Sequence, residues 1–459
     1  MAGVGFQLRK LLQRDTLTGD LSAYVYAGII SAGPLILSIL AIFFVGVLSL
    51  GIVDPPQLIV QFQVSVTYLI ACSLVITGAV QLLFTRFISD RLFQKEPERL
   101  LPNYNGVMLI TTVGTAALSL IVDRLMFQGE SLFYRILMMM GFIIVSNIWI
   151  GIVFLASLKR YSTILLSFLV GYAITAVVAV SLSRYGLEGL MSGFVVGHLV
   201  LLLIMTADIQ REHIPERSQH IALDILDRRF IYPSLILVGV LFNLGVWLDK
   251  FMFWFSATGQ DVIGPLRASV IYDLPIFISY LCIIPGMAVF LLRLETDFAD
   301  SYNGYFEAVR SGGSLSHIRE MRDDMLRSAK AGLYEILKIQ ALVTLFIFAF
   351  GAQLLETFSI SILYLPLLKV HVMGASLQVL FLACLNIFLY LDRRRTALFL
   401  CALFTVLNGI LTWMTLAAGP DMYGYGFAGA LLITVFVAAF ILNRSFDRLE
   451  YETYMLQKV

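Results

Sequence analysis

Polar chemistry gathers most densely near the end of one apolar run. Asn243, Trp247 and Lys250 stand at i, i+4 and i+7 and share one helix face, with Asp249 beside the lysine. A hydrogen-bonding amide and an aromatic platform on one face can recognise a polar substrate without a dense charge lining. Each also has a plainer role: Asn243 can bond a neighbouring helix, and Trp247 can sit in the interfacial aromatic belt. Asn147 with Trp149, His198, Asn386 and Asn408 are further polar residues in apolar surroundings. Taken one at a time, such residues serve helix packing more often than a site. His198 could act as an intramembrane base, but no acid accompanies it.

Several chemistries are missing. No G-x-x-x-x-G-K-[ST] occurs, so ATP hydrolysis through a P-loop is excluded. Gly424-Tyr-Gly426-Phe-Ala-Gly429 fits G-x-G-x-x-G in letters, yet it opens an apolar run with no strand before it, and reads as helix flexibility. A processive membrane glycosyltransferase would carry a DxD-type metal motif and a soluble catalytic domain, and neither is present. His213 and His220 lack zinc spacing. The four cysteines, Cys72, Cys282, Cys384 and Cys401, all fall in apolar runs and form no CxxC pattern. The expectation is a chain that is not an enzyme and carries no cofactor and no metal.

The elements that must position the polar residues are membrane helices. Of 459 residues 59% are apolar and 14% charged, where a soluble domain would carry about 25% charged residues. A net charge of +1 also excludes the basic balance of a nucleic-acid binder. Twelve uncharged runs, from Val25–Leu50 to Gly424–Leu442, are long enough to cross a bilayer, and only Asp273 puts a charge inside one. That acid falls in a helix's first turn, where the dipole favours it. With a cytoplasmic amino terminus, alternation through twelve spans puts 26 of the 32 Lys and Arg on the inner side. The inner segments then sum to +4 and the outer ones to −3, so near-neutrality is the sum of two opposite faces. The expected fold is an all-α polytopic membrane protein of twelve transmembrane helices in two six-helix lobes. Its expected divisions are an amphipathic segment 1–24, a lobe over 25–206, an interlobe loop 207–229, a second lobe over 230–442 and a tail 443–459. Residues 3–22, with Phe6, Leu8, Leu11 and Leu12 among Arg9, Lys10 and Arg14, suit an interfacial helix.

The halves share landmarks. Gly78-Ala-Val-Gln-Leu-Leu-Phe-Thr-Arg86 leads to Asp90 and Tyr104-Asn105-Gly106, while Gly286-Met-Ala-Val-Phe-Leu-Leu-Arg293 leads to Asp297 and Tyr302-Asn303-Gly304. The spacing is uneven, but the Arg and Tyr-Asn-Gly landmarks are not apolar and point to a duplication. The largest cytoplasmic feature, 293–338, turns at Ser311-Gly-Gly313 between two helical patterns. Beyond the turn, Leu315, Ile318, Met321, Met325, Ala329 and Leu333 repeat at three and four, opposite a charged face of Arg319, Arg322, Asp323, Arg327 and Lys330. That face could lie on anionic lipid or dock a partner. Loop 207–229, with Arg211, Arg217, Arg228 and Arg229, is a second contact candidate.

The opening Met1-Ala-Gly-Val-Gly-Phe-Gln-Leu-Arg-Lys-Leu-Leu12, followed by Ala23-Tyr-Val-Tyr-Ala-Gly-Ile-Ile-Ser-Ala-Gly-Pro34, resembles the PelG family, the membrane component of bacterial Pel exopolysaccharide systems. The resemblance extends over the whole chain. It implies a MOP/MATE-like fold and export, across the inner membrane, of a polymer of N-acetylgalactosamine and galactosamine. It also implies a cytosolic glycosyltransferase (PelF-like), a cyclic-di-GMP receptor (PelD-like) and a scaffold (PelE-like) as partners. Asn243, Trp247, Asp249, Lys250, Asn147, Asn386 and Asn408 are then the candidate lining of a substrate pathway. Drug antiporters of that superfamily need titratable acids in the membrane, and no acid is expected at mid-membrane here. A flippase for a lipid-linked oligosaccharide would ask for arginines deep in the cavity, which no run contains, and a non-transporting anchor for the synthase is a third reading.

Overall fold

The computed structural model describes residues 17–49, 51–212, 220–227, 231–358 and 360–451. Residues 1–16, which hold most of the expected amphipathic segment, and His213, Arg217, Arg228 and Arg229 lie outside them. Residues 17–24 belong to the first long helix, α1 (Leu17–Ser49). Five helices follow: α2 (Gln57–Phe93), α3 (Leu100–Met126), α4 (Leu132–Ser157), α5 (Tyr161–Ser181) and α6 (Leu187–Glu212). Then come α7 (Pro233–Trp254), the strands β1 (Gln260–Ile263) and β2 (Leu266–Ala268), α8 (Val270–Leu281), α9 (Ile284–Leu292) and α10 (Ala299–Arg310). The chain closes with α11 (Leu315–Thr357), α12 (Leu365–Tyr390), α13 (Arg394–Ala418) and α14 (Tyr425–Asp447). Among the described residues eleven helical segments are long and apolar enough to span, and α1 stands in the place of the first predicted run.

Two compact units divide the chain. The first comprises 33–247 and 253–269, and the second 1–32, 248–252 and 270–459. The division thus falls inside α1 and α7, while the sequence suggested loop 207–229.

In the first unit, Phe62, Phe84, Tyr104, Phe154 and Phe194 are buried together. Backbones meet where α2 crosses α7: a Cβ on Gly239 would lie 2.0 Å from the Gly78 carbonyl oxygen. Only glycine permits that approach. The Tyr104-Asn105-Gly106 landmark fastens the 220–227 segment onto α3. Asn105 donates to the His220 carbonyl at 2.9 Å, Ala222 N–H donates to the Pro102 carbonyl at 2.9 Å, and Asn103 bonds Asp224 at 3.1 Å. A Cβ at Gly106 would stand 2.0 Å from the Ala222 oxygen, which accounts for the glycine. The β1–β2 hairpin, closed by Asp261 and Arg267 at 2.8 Å, had no counterpart in the sequence reading, because four-residue and three-residue strands leave almost no periodicity to find.

In the second unit, the helical pair expected around 293–338 is present, with its turn at 311–313, but it is not a separate insertion. One arm continues α8 and α9 through a π-helical turn at 293–298 into α10, and the other is the first half of the 43-residue α11. At 1.5 Å per residue α11 is about 65 Å long, twice the roughly 30 Å hydrocarbon layer, so one half projects beyond it. The duplicated landmarks reach the same local geometry in both units. Arg86 bonds Asp90 at 3.0 Å in the first, and Arg293 bonds Asp297 at 2.8 Å in the second.

Candidate transport site

Helix α7 does not stop where its charges begin. The apolar run ends at Leu248, but the helix continues to Trp254 and carries Asp249 and Lys250 within it. Both are buried, Asp249 at 0% and Lys250 at 2% exposure, which corrects the expectation that Asp273 alone would put a charge inside a span. The helix tolerates them because the second unit supplies their partners. Lys250 Nζ lies 3.2 and 3.4 Å from the two Asp249 oxygens. Tyr272 of α8 donates its hydroxyl to Asp249 Oδ2 at 2.6 Å, and Asn408 of α13 donates its amide to Oδ1 at 3.4 Å. Asn408 Oδ1 in turn accepts from Thr412 at 3.0 Å. The ammonium stands over two rings, 4.8 Å from the Phe427 centroid and 5.3 Å from that of Tyr280. His371 of α12 presents itself edge-on to Tyr272 at 4.6 Å, fully buried, with both ring nitrogens lacking a hydrogen-bond partner among the described residues.

The result is a polar island, neutral in total, that ties residues 248–252 of α7 to α8, α12, α13 and α14 within the second unit. A buried carboxylate and ammonium each pay heavily for lost water, and the geometry here returns that cost through direct pairing and added donors. Of the sequence-selected residues, Asp249, Lys250 and Asn408 converge here. Tyr272, Tyr280 and His371 were not selected, since each is a single polar-tipped residue, two at the margin of an apolar run and Tyr280 inside one.

The remaining candidates fall elsewhere. Asn243 belongs to the first unit, one turn from Gly239 at the Gly78–Gly239 crossing, and donates to its own helix at Gly239 O over 3.0 Å. The Trp247 ring lies 6.3 Å from that of Trp254. Asn147 donates to Thr112 at 3.0 Å and to the Ile143 carbonyl at 2.8 Å, while Trp149 donates to Ser73 at 2.9 Å. Asn386, in the second unit, donates to Glu295 at 2.9 Å. His198 is held by the Phe194 carbonyl at 2.8 Å and packs edge-on to Tyr172 at 5.0 Å, as a core residue would. On α11, Arg322 reaches Glu450 at 2.6 Å and Arg319 reaches it at 3.4 Å, so the tail engages these two bases. Arg327 pairs with Asp324 one turn away, and Lys330 is exposed.

Comparison with known proteins agrees with this architecture. The PelG family model, described as "Putative exopolysaccharide Exporter (EPS-E)", matches residues 1–454. No curated protein matches the chain. Among solved structures, an outward-facing multidrug resistance MATE family transporter of the MOP superfamily superposes with a TM-score of 0.64 at 15% identity, covering 93% of this chain and 96% of that one. A MATE transporter from Vibrio cholerae, VcmN, gives 0.64 at 12% identity over 97% and 98%. A MATE structure in a bent conformation gives 0.63 at 14% over the same shares. The all-α, two-unit architecture is therefore the MATE/MOP transporter fold.

Proposed function

Because the chain belongs to the PelG family of exopolysaccharide exporters, we propose that it passes a growing amino-sugar polymer across the bacterial inner membrane as a cytosolic glycosyltransferase extends it. The observation that carries this reading is the family match over nearly the whole chain, joined to a transporter fold of the same extent. The distribution of Lys and Arg supports an inner-membrane orientation with both termini in the cytoplasm. On that orientation the α10–α11 hairpin faces the cytoplasm. Arg327 and Lys330, exposed on α11, offer the glycosyltransferase a basic contact beside the ion pairs that hold the tail.

The Asp249–Lys250 island favours polymer elongation over a bound ion as the source of drive. The carboxylate that could take a cation already has an ammonium 3.2 Å away and two further donors. A PelD-like receptor and a PelE-like scaffold complete the assembly on this reading. A strain lacking the gene is expected to make polymer and fail to secrete it, and unchanged secretion would overturn the proposal.

A further inference from the structure

Within the first unit, α4 bonds to α2 on one side and to α3 on the other and holds the two apart. The Tyr134 hydroxyl meets that of Ser65 on α2 at 2.7 Å, and Trp149 donates to Ser73 at 2.9 Å. Toward α3, Arg135 donates to Asp123 at 2.6 Å and Asn147 to Thr112 at 3.0 Å. A crevice of about 330 Å³ is left between α2 and α3, large enough for part of a ligand. Cys72 and Ile76 of α2, Leu118 and Val122 of α3, and Met138 and Phe142 of α4 line it. Tyr68 closes one end, fixed by a hydrogen bond from its hydroxyl to the Arg267 carbonyl at 3.0 Å. The walls are therefore preformed.

The crevice changes character along the helix axes as a bilayer does. At its polar end stand Asp123, in the last turn of α3, and Arg135, in the first turn of α4. Arg135 Nε and Nη2 donate to the two Asp123 oxygens at 2.7 and 2.6 Å, which leaves Nη1 as a further donor and lone pairs on both oxygens. From that pair inward the lining is apolar for about 10 Å, the rise from Arg135 to Phe142. Water is a poor filler there, since it needs two or more polar partners. Hydrocarbon is at hand: Leu120, at the same depth on α3, is 52% exposed, and Ile76, which lines the crevice, is 38% exposed. The head of the site carries one charge of each sign. A zwitterion answers both, phosphate to the guanidinium and ammonium to the carboxylate, whereas a purely anionic head would meet Asp123 with like charge.

We propose that this crevice is a phospholipid site, with one acyl chain lodged between α2 and α3 and an ethanolamine-type headgroup seated on the Asp123–Arg135 pair. The proposal needs only the membrane-spanning fold and is independent of the exporter reading. The test uses the full-length chain in lipid nanodiscs doped with a phosphatidylethanolamine that carries a photoreactive diazirine in its acyl chain, or with the phosphatidylglycerol of the same chains. Crosslinks are then located by peptide mass. The ethanolamine probe should label Cys72, Leu118 and Met138 well above Leu120, which reports ordinary surrounding lipid. The glycerol probe should label the crevice about tenfold less, the size of one charge-assisted hydrogen bond. Asp123→Asn with Arg135→Gln removes both charges and strands neither. It should equalise the two probes in the crevice while leaving Leu120 labelling and the melting profile in place, which separates loss of the site from loss of fold. Val122→Phe should fill the crevice and lower labelling by both probes. Crevice labelling no stronger than at Leu120 would mean surrounding lipid only and overturns the proposal. Equal crevice labelling by the two probes in the wild-type chain, or a preference that survives in the double variant, overturns it too.

Discussion

Asp249 and Lys250 show how much a single adjacency in sequence can conceal. Their charges were visible at the end of an apolar run, and a helix that ended there would have left them in the headgroup region. The structure carries α7 on to Trp254 and buries both, because Tyr272 and Asn408 supply donors that a one-dimensional reading cannot bring near. Removing one member strands the other. Lys250→Met and Asp249→Asn should each destabilise the solubilised chain by about 3–5 kcal/mol, while the double variant should cost clearly less than the sum. Unfolding measurements on all three variants check this, and additive losses would show that the two groups do not depend on each other. The same logic explains why Asn243 is ambiguous by type alone. An amide on an apolar helix looks identical in sequence whether it serves a ligand or a neighbouring backbone, and here its nitrogen bonds the Gly239 carbonyl of its own helix.

Elements were legible where hydrophobic length decided them and illegible where contact did. Eleven of the runs reappear among the described residues as helical segments long enough to span, and the Arg-x-x-x-Asp landmarks of both halves close as i,i+4 ion pairs. The short hairpin and the fusion of a projecting arm with α11 were not legible, since neither changes the local pattern of apolar residues. Close backbone approaches make a direct element-scale prediction. Gly239→Ala would put a methyl 2.0 Å from the Gly78 oxygen and push α2 from α7, at a cost of about 1–3 kcal/mol. A lowered melting temperature reads this out, and an unchanged one would mean the crossing is loose. On the hairpin, Arg327→Glu with Lys330→Glu should reduce co-purification of the cytosolic glycosyltransferase without lowering the amount of exporter in the membrane. Undiminished recovery would move the docking surface elsewhere.

For the whole molecule, fold and family rest on agreement between independent lines. Composition demanded a membrane, eleven helical segments among the described residues are long and apolar enough to span one, and the chain superposes on a MATE transporter over 93% of its length at only 15% identity. A fold kept at that identity is kept by the positions of apolar helices. This is why membership was readable from the amino-terminal stretch while the partners of Asp249 and the crevice beside Asp123 needed three dimensions. The orientation makes its own prediction: a cysteine placed at position 130 should react with an impermeant thiol reagent from outside intact inner-membrane spheroplasts, and one at position 327 should not. The reverse pattern would invert the topology.

The central claim is that this chain is the conduit itself. The most direct measurement is reconstitution with its glycosyltransferase in sealed vesicles, the synthase and activated sugar supplied on the outside only. The account predicts polymer in the lumen, protected from an added glycosidase, in amounts that follow synthesis and require this chain. Polymer that forms at the same rate but stays outside and is fully digested would contradict it, and would make the protein an anchor for synthesis with no conduit of its own.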